Sequence, residues 1–118
     1  MQIQLVATAG PSGTVPLQQV NPDGSMSPFS LAEGRHFNLT DISIQREEVL
    51  PGPNLFSVSI VQTPGTLHQL RWCFVGNISQ NVERSFNTGM LFSTPFWIEN
   101  MIEDPKADAV VVRLWGEY

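Results

Sequence analysis

The sequence predicts an all-β fold, a two-sheet antiparallel β-sandwich of eight or nine short strands. Three observations predict it. Short runs of β-branched and aromatic residues alternate with polar ones at a period of two, as a half-buried strand requires. Nine Gly and nine Pro in 118 residues punctuate the chain with turns, which favours many short strands over a few helices. No stretch keeps a helical period over three turns, and no internal repeat is visible.

The closing segment, AVVVRLWGEY at 109–118, is the strongest element. Val110, Val112 and Leu114 share one face, while Val111, Arg113, Trp115 and Glu117 share the other. With almost nothing after it, this strand is expected in the middle of a sheet. At the other end, Gln2, Gln4 and Ile3, Leu5 alternate as a first strand. The breakers at 10–13 follow, then a weak extended piece at 15–20 interrupted by Pro16. Asn21-Pro22-Asp23-Gly24 is a turn, because Pro presets one position and Gly takes a positive φ. The piece at 26–31 contains Pro28.

From Arg35 the pattern sharpens. RHFNLTDISIQ at 35–45 puts Phe37 and Leu39 on one face, then Ile42 and Ile44 on the other, so a β-bulge or a sandwich corner is expected at Thr40-Asp41. After a loop at 51–54, Phe56, Val58 and Ile60 alternate with serines. Pro64-Gly65 turns the chain, and Leu70, Trp72 and Phe74 are read as the next inward row, ending at Gly76-Asn77. A short strand at 82–86, a turn at Asn87-Thr88-Gly89, and apolar pieces at 90–92 and 96–98 lead to an acidic loop at 99–108, with room for one helical turn near 100–103.

Two domain-level units follow: an extended segment at 1–30, and a sandwich at 31–118. The first is rich in breakers and poor in core-grade residues. It supplies either outer strands or an arm that lies on a neighbouring subunit.

The bulk numbers narrow the function. Only 14% of residues are charged and the net charge is -5. Neutralising phosphates needs clustered cations, and the six Lys and Arg are scattered, so nucleic acid is not an expected partner. No apolar run is long enough for a membrane helix, and the N-terminus lacks the pattern of a signal peptide. Cys73, the single cysteine, is read as a small buried hydrophobe. The sequons at Asn38 and Asn77 carry little weight.

No residue pattern names a reaction. His36 and His68 stand apart, Cys73 supplies one ligand at most, and a zinc site needs four; no metal or cofactor is expected. Glu99, Glu103, Asp104 and Asp108 fit no calcium loop and read as a solvated loop or a rim for a basic partner. A small hydrolase would need a cleft of perturbed carboxylates that no spacing identifies. What remains is Trp97 and Trp115, each on the face opposite an inward row. Outward indoles are enriched where proteins meet partners. The candidate partner-binding residues are therefore Trp97, Trp115 and Arg113, with Val15 and Leu17 from the N-terminal segment.

Three pieces, RHFNLTDISI at 35–44, SFNTGMLF at 85–92 and VVVRLWGEY at 110–118, together resemble small jelly-roll proteins and domains of bacteria and phages. Phe37, Thr40, Asp41, Ile42, Phe86, Thr88, Gly89 and Gly116 sit where that pattern places them, while Glu117 interrupts its Gly-Tyr ending. The resemblance covers about the last two-thirds of the chain. It implies a jelly-roll sandwich of the kind used by capsid decoration (cement) proteins and attachment domains, often as trimers, and carries over no catalytic residue. The expectation is a non-enzymatic homotrimer on a virion surface, in contact with other capsid or particle proteins. The alternative is a lectin-like carbohydrate-binding or host-attachment module, with a glycan as ligand.

Overall fold

Strand alternation translates directly into two sheets. The computed structural model describes residues 1–9, 12–46, 55–63, 67–77, 81–102 and 110–118. β1 (Gln2–Ala9) turns Ile3, Leu5 and Ala7 inward, and β10 (Val110–Glu117) does the same with Val110, Val112 and Leu114. β10 lies between β1 and β5 (Phe37–Arg46), both antiparallel to it. Its central place follows from its alternation, since a strand with neighbours on both sides leaves no backbone group unpaired.

The remaining strands are β2 (Ser12–Val15), β3 (Gln18–Val20), β4 (Met26–Pro28), β6 (Leu55–Gln62), β7 (Gln69–Asn77), β8 (Val82–Phe92) and β9 (Phe96–Ile102). They form a six-stranded sheet, β4-β3-β1-β10-β5-β8, and a four-stranded sheet, β2-β9-β6-β7. Four pairs are nested in sequence: β1 with β10, β2 with β9, β5 with β8, and β6 with β7. That nesting is a long hairpin rolled into two layers, the connectivity of a jelly roll. The β3–β4 hairpin is an addition beside β1, and it brings the described strands to ten. Its turn falls on Asn21–Gly24, where the Gly24 N–H donates to the Asn21 carbonyl at 2.9 Å and Gly24 has φ +88.

The breaker-rich segment at 1–30 is thus laid into both sheets of its own chain. Leu17 is only 2% exposed and belongs to the core, so it is a packing residue rather than a surface one. Ile42, Ile44, Phe56, Val58, Ile60 and Ile98 fill the centre between the layers. Each such side chain contributes about 1.5–3 kcal/mol by leaving water. One end is closed by aromatic rings: Phe92 stacks on Phe96 at 4.4 Å between centroids, Phe96 on Phe37 at 5.6 Å, and Phe29 meets Phe37, Phe96 and Tyr118. The Tyr118 hydroxyl accepts the Ala32 N–H at 3.1 Å, and the Arg35 guanidinium lies 3.8 Å from the ring centre.

The face change in β5 is a bulge. Leu39 pairs with Gly116 and Asp41 with Trp115, leaving Thr40 unpaired between them. The extra residue returns Ile42 and Ile44 to the same core that Phe37 and Leu39 enter. On its other side β5 faces β8, where Met90 pairs with Leu39 and Ser85 with Asp41. The sequence reading of a turn at 87–89 is corrected: β8 runs unbroken, and residues 86–89 form an excursion in which Gly89 takes φ +77. The excursion carries Phe86 against Trp72 of the opposite sheet, centroids 6.4 Å apart.

A second bulge corrects another expectation. Ile60 pairs with Trp72 and Val61 with Leu70, so Arg71 is the extra residue. Its guanidinium donates to the Leu91 carbonyl at 2.9 Å and to Gln62 Oε1 at 2.8 Å, tying β7 to β8 and β6. Trp72 and Phe74 remain packed on the core, but Leu70 is shifted to the outer face and is 60% exposed. Cys73, between two inward neighbours, is exposed rather than buried. The helical turn allowed near 100–103 is replaced by strand through Ile102. The acidic loop expected at 99–108 is corrected at its start, because β9 carries Glu99 as strand through to Ile102; its remainder at 103–108, and the loops expected at 51–54 and at Pro64-Gly65, lie outside the described residues.

Gly116 is set by the Thr40 bulge. A Cβ there would collide with the Asn38 carbonyl oxygen and the Phe37 ring. Gly116→Ala is therefore expected to cost about 3 kcal/mol by overpacking against backbone and to lower the melting temperature by about 10 °C, read by calorimetry.

Candidate functional site

The two outer faces differ in chemistry. On the six-stranded sheet, registers align outward side chains into rows. One row runs Gln4, Trp115, Asp41, Ser85, and the next runs Val6, Arg113, Ser43, Glu83. Directly opposed residues in such rows have Cβ atoms about 4.5–5.5 Å apart. The Trp115 indole is half-buried and lines a depression of about 280 Å³ with Asp41, Ser43, Glu83, Arg84 and Ser85. A larger depression of about 590 Å³ lies on the same face between β10 and the β3–β4 hairpin, with Arg113, Val6, Val20 and Met26 in its lining.

Asp41 is the most constrained polar group of this face. The Ser85 hydroxyl donates to its Oδ1 at 2.7 Å, and the Thr40 hydroxyl lies 2.9 Å from its Oδ2 and 3.1 Å from the Trp115 carbonyl. These hydrogen bonds, Ser85 first, hold the carboxyl below its ordinary value of 3.8, against a smaller opposing effect of burial. The Thr40 bulge thus does two jobs: it restores the core register and supplies a hydroxyl to the adjacent carboxylate. The Arg113 guanidinium approaches Gln45 Oε1 at 3.5 Å.

The outer face of the four-stranded sheet is poorer in charge. Trp97 is opposite Val61 in register. The His68 ring meets the indole edge-on at 5.3 Å, and Trp97 Nε1 is buried with no partner among the described residues. On and just before β7, the edge strand, Leu67, Leu70 and Val75 are 71%, 60% and 65% exposed. The Ser59 hydroxyl donates to Cys73 Sγ at 3.3 Å on this face.

Of the five candidates from sequence, Trp115 and Arg113 lie together on the six-stranded sheet, and half-buried Val15 lines the larger depression beside Pro16. Trp97 is on the opposite sheet, and Leu17 is inside. Asp41 and Ser85 were missed because nothing in one strand says which side chains of two other strands will stand beside it. Leu70 was missed because the bulge at Arg71 has no marker such as Gly or Pro, whereas Val75 is outward by the alternation of Trp72 and Phe74 alone and was not singled out.

His36 Nδ1 lies 2.9 Å from Ser93 Oγ at an exposed position, and no carboxylate bonds to that ring among the described residues. Among the described residues no three His, Cys, Asp or Glu side chains are grouped to hold a metal ion, and no helix is long and apolar enough to cross a membrane. Compared with protein-family models, with curated proteins and with solved structures, the chain matches none.

Asp41 gives a pH prediction. Its folded carboxyl titrates below its unfolded value, so its contribution to stability is present above that value and is lost as pH falls through the folded one. Asp23, held down by Ser25, and Glu117, held down by the terminal amine, act in the same direction. The denaturant midpoint is expected to drop between about pH 5 and pH 2. Asp41→Asn should flatten that drop without abolishing it, as followed by urea titration at each pH.

Proposed function

We propose that the chain is a non-enzymatic structural module that self-associates and works at the surface of a larger particle, of the kind a capsid decoration protein provides. The observation that carries this reading is the outer face around β7. Among the described residues, three of the six large apolar side chains that stand exposed are Leu67, Leu70 and Val75, on or just before that strand. An edge strand also presents unpaired N–H and C=O groups. Apolar surface beside an open edge suits the core of a contact between chains, and Glu99, in register with Ser59 and Cys73 between the Leu70 and Val75 rows, is a charge such a contact has to pair. Jelly rolls serve both viral capsids and lectins, so the fold by itself leaves the choice to the surface.

The homotrimer is the assembly that the resemblance suggests. Covering Leu70 and Val75 contributes about 1.5–3 kcal/mol for each fully buried side chain. A glycan-binding role, the second reading, draws on Trp115 on the opposite face.

Light scattering on the intact chain tests the proposal. The expected mass is three times 13.1 kDa at about 100 μM, a concentration that populates assemblies of micromolar affinity. The Leu70→Glu, Val75→Glu double variant is expected to run at the mass of one chain with an unchanged circular dichroism spectrum. A wild-type chain that stays monomeric at that concentration, or a double variant that assembles as wild type, overturns it.

A further inference from the structure

We propose that the depression beside Trp115 binds a neutral pyranose ring of a glycan, the apolar face of the sugar on the indole and its hydroxyls on the Asp41 carboxylate. The site lies on the face opposite β7 and does not depend on self-association there.

The first argument is chemical fit. A pyranose presents a patch of C–H groups on one face and hydroxyls around its rim, so it needs an aromatic plane beside fixed hydrogen-bond acceptors. Trp115 supplies the plane, on a strand paired on both sides. Asp41, directly across from it, is fixed by Ser85 and Thr40. A carboxylate has about four acceptor positions. Two are taken by these hydroxyls, and the others are left for a ligand. A group held this way needs no reordering on binding, which is where weak ligands lose affinity.

The second argument is size. The depression, about 280 Å³, falls just under the roughly 300–1,000 Å³ of pockets that enclose drug-sized ligands. It is shallow and open, and suits one ring held at one face.

The third argument separates a sugar from other occupants. A second protein copy would have to desolvate Asp41, Glu83 and Arg84 around the indole, and buried charges are costly unless well paired. A nucleotide would bring phosphates towards a carboxylate on a chain of net charge -5, against the cation clusters that nucleic acid needs. A neutral polyol meets neither obstacle.

The test uses the intact chain, with glucose, galactose, mannose and N-acetylglucosamine as probes, each titrated to about 50 mM to cover millimolar affinities. Two-dimensional ¹H–¹⁵N spectra report each indole N–H separately, with Trp115 assigned through Trp115→Phe. The expected result is saturable movement of the Trp115 indole signal with at least one probe and none of the Trp97 signal. Trp115→Ala and Asp41→Asn should each weaken binding about tenfold or more in chains whose circular dichroism spectrum stays that of the wild type, while Trp115→Tyr keeps it within a few-fold. Should Trp115→Ala fail to fold, Asp41→Asn and Trp115→Tyr carry the comparison. The Leu70→Glu, Val75→Glu variant should bind as wild type, so loss of assembly and loss of sugar binding are read independently. No movement with any probe, movement confined to other signals, or an Asp41→Asn chain that binds as wild type overturns the proposal.

Discussion

A strand whose apolar residues change parity halfway can serve one core only if it inserts an extra residue, and β5 does so at Thr40. Without that insertion Ile42 and Ile44 would face water while Phe37 and Leu39 faced the core, since a one-residue slip sends every side chain to the other face. The insertion constrains its neighbours in turn. It brings the β5 backbone so close to β10 that position 116 has no room for a Cβ. Across β5, it is matched by the longer excursion at 86–89 that lets Phe86 reach Trp72 and close that side of the sandwich. It also directs Asp41 outward beside Trp115, so the most ordered polar group of the outer face is a by-product of how the core is kept in register.

Much of the fold was legible because burial on one side leaves a period of two in sequence. The rows of β1, β6 and β10 and the irregularity at Thr40 carry that signature, and the turn at Asn21–Gly24 is announced by its Pro and Gly. Two departures from regular pairing share one cause. At Arg71 and at 86–89 the deviation from regular pairing is decided by a partner in another strand, the Leu91 carbonyl for Arg71 and Trp72 for Phe86. No local composition announces such partners. Leu70 therefore reads as core and stands in solvent, whereas Cys73 reads as buried from its residue type, although the alternation of Trp72 and Phe74 turns it outward. The site was half legible: Trp115 and Arg113 follow from the alternation of one strand, but Asp41 and Ser85 join them through register.

The two tryptophans taken together from sequence serve different surfaces. Trp97 is sheltered by its own chain, edge to face with His68, in the row of Val61 and exposed Leu70. Trp115 stands among Asp41, Glu83 and Arg84. The same residue type thus stands beside apolar side chains on one sheet and among charged groups on the other.

The pairing of β1 with β10 joins residues separated by more than a hundred positions, since Gln2 meets Glu117. Such a ladder is the opposite of local, and chains dominated by distant pairings cross the folding barrier slowly because loop closure must precede any gain. On the ribosome, β1 waits beside an empty place until β10 emerges, so the six-stranded sheet closes only once that strand has been made. During that interval the apolar sides of β1 and β5 are open to other nascent copies, which makes temperature and expression rate the controls on how much native material is recovered.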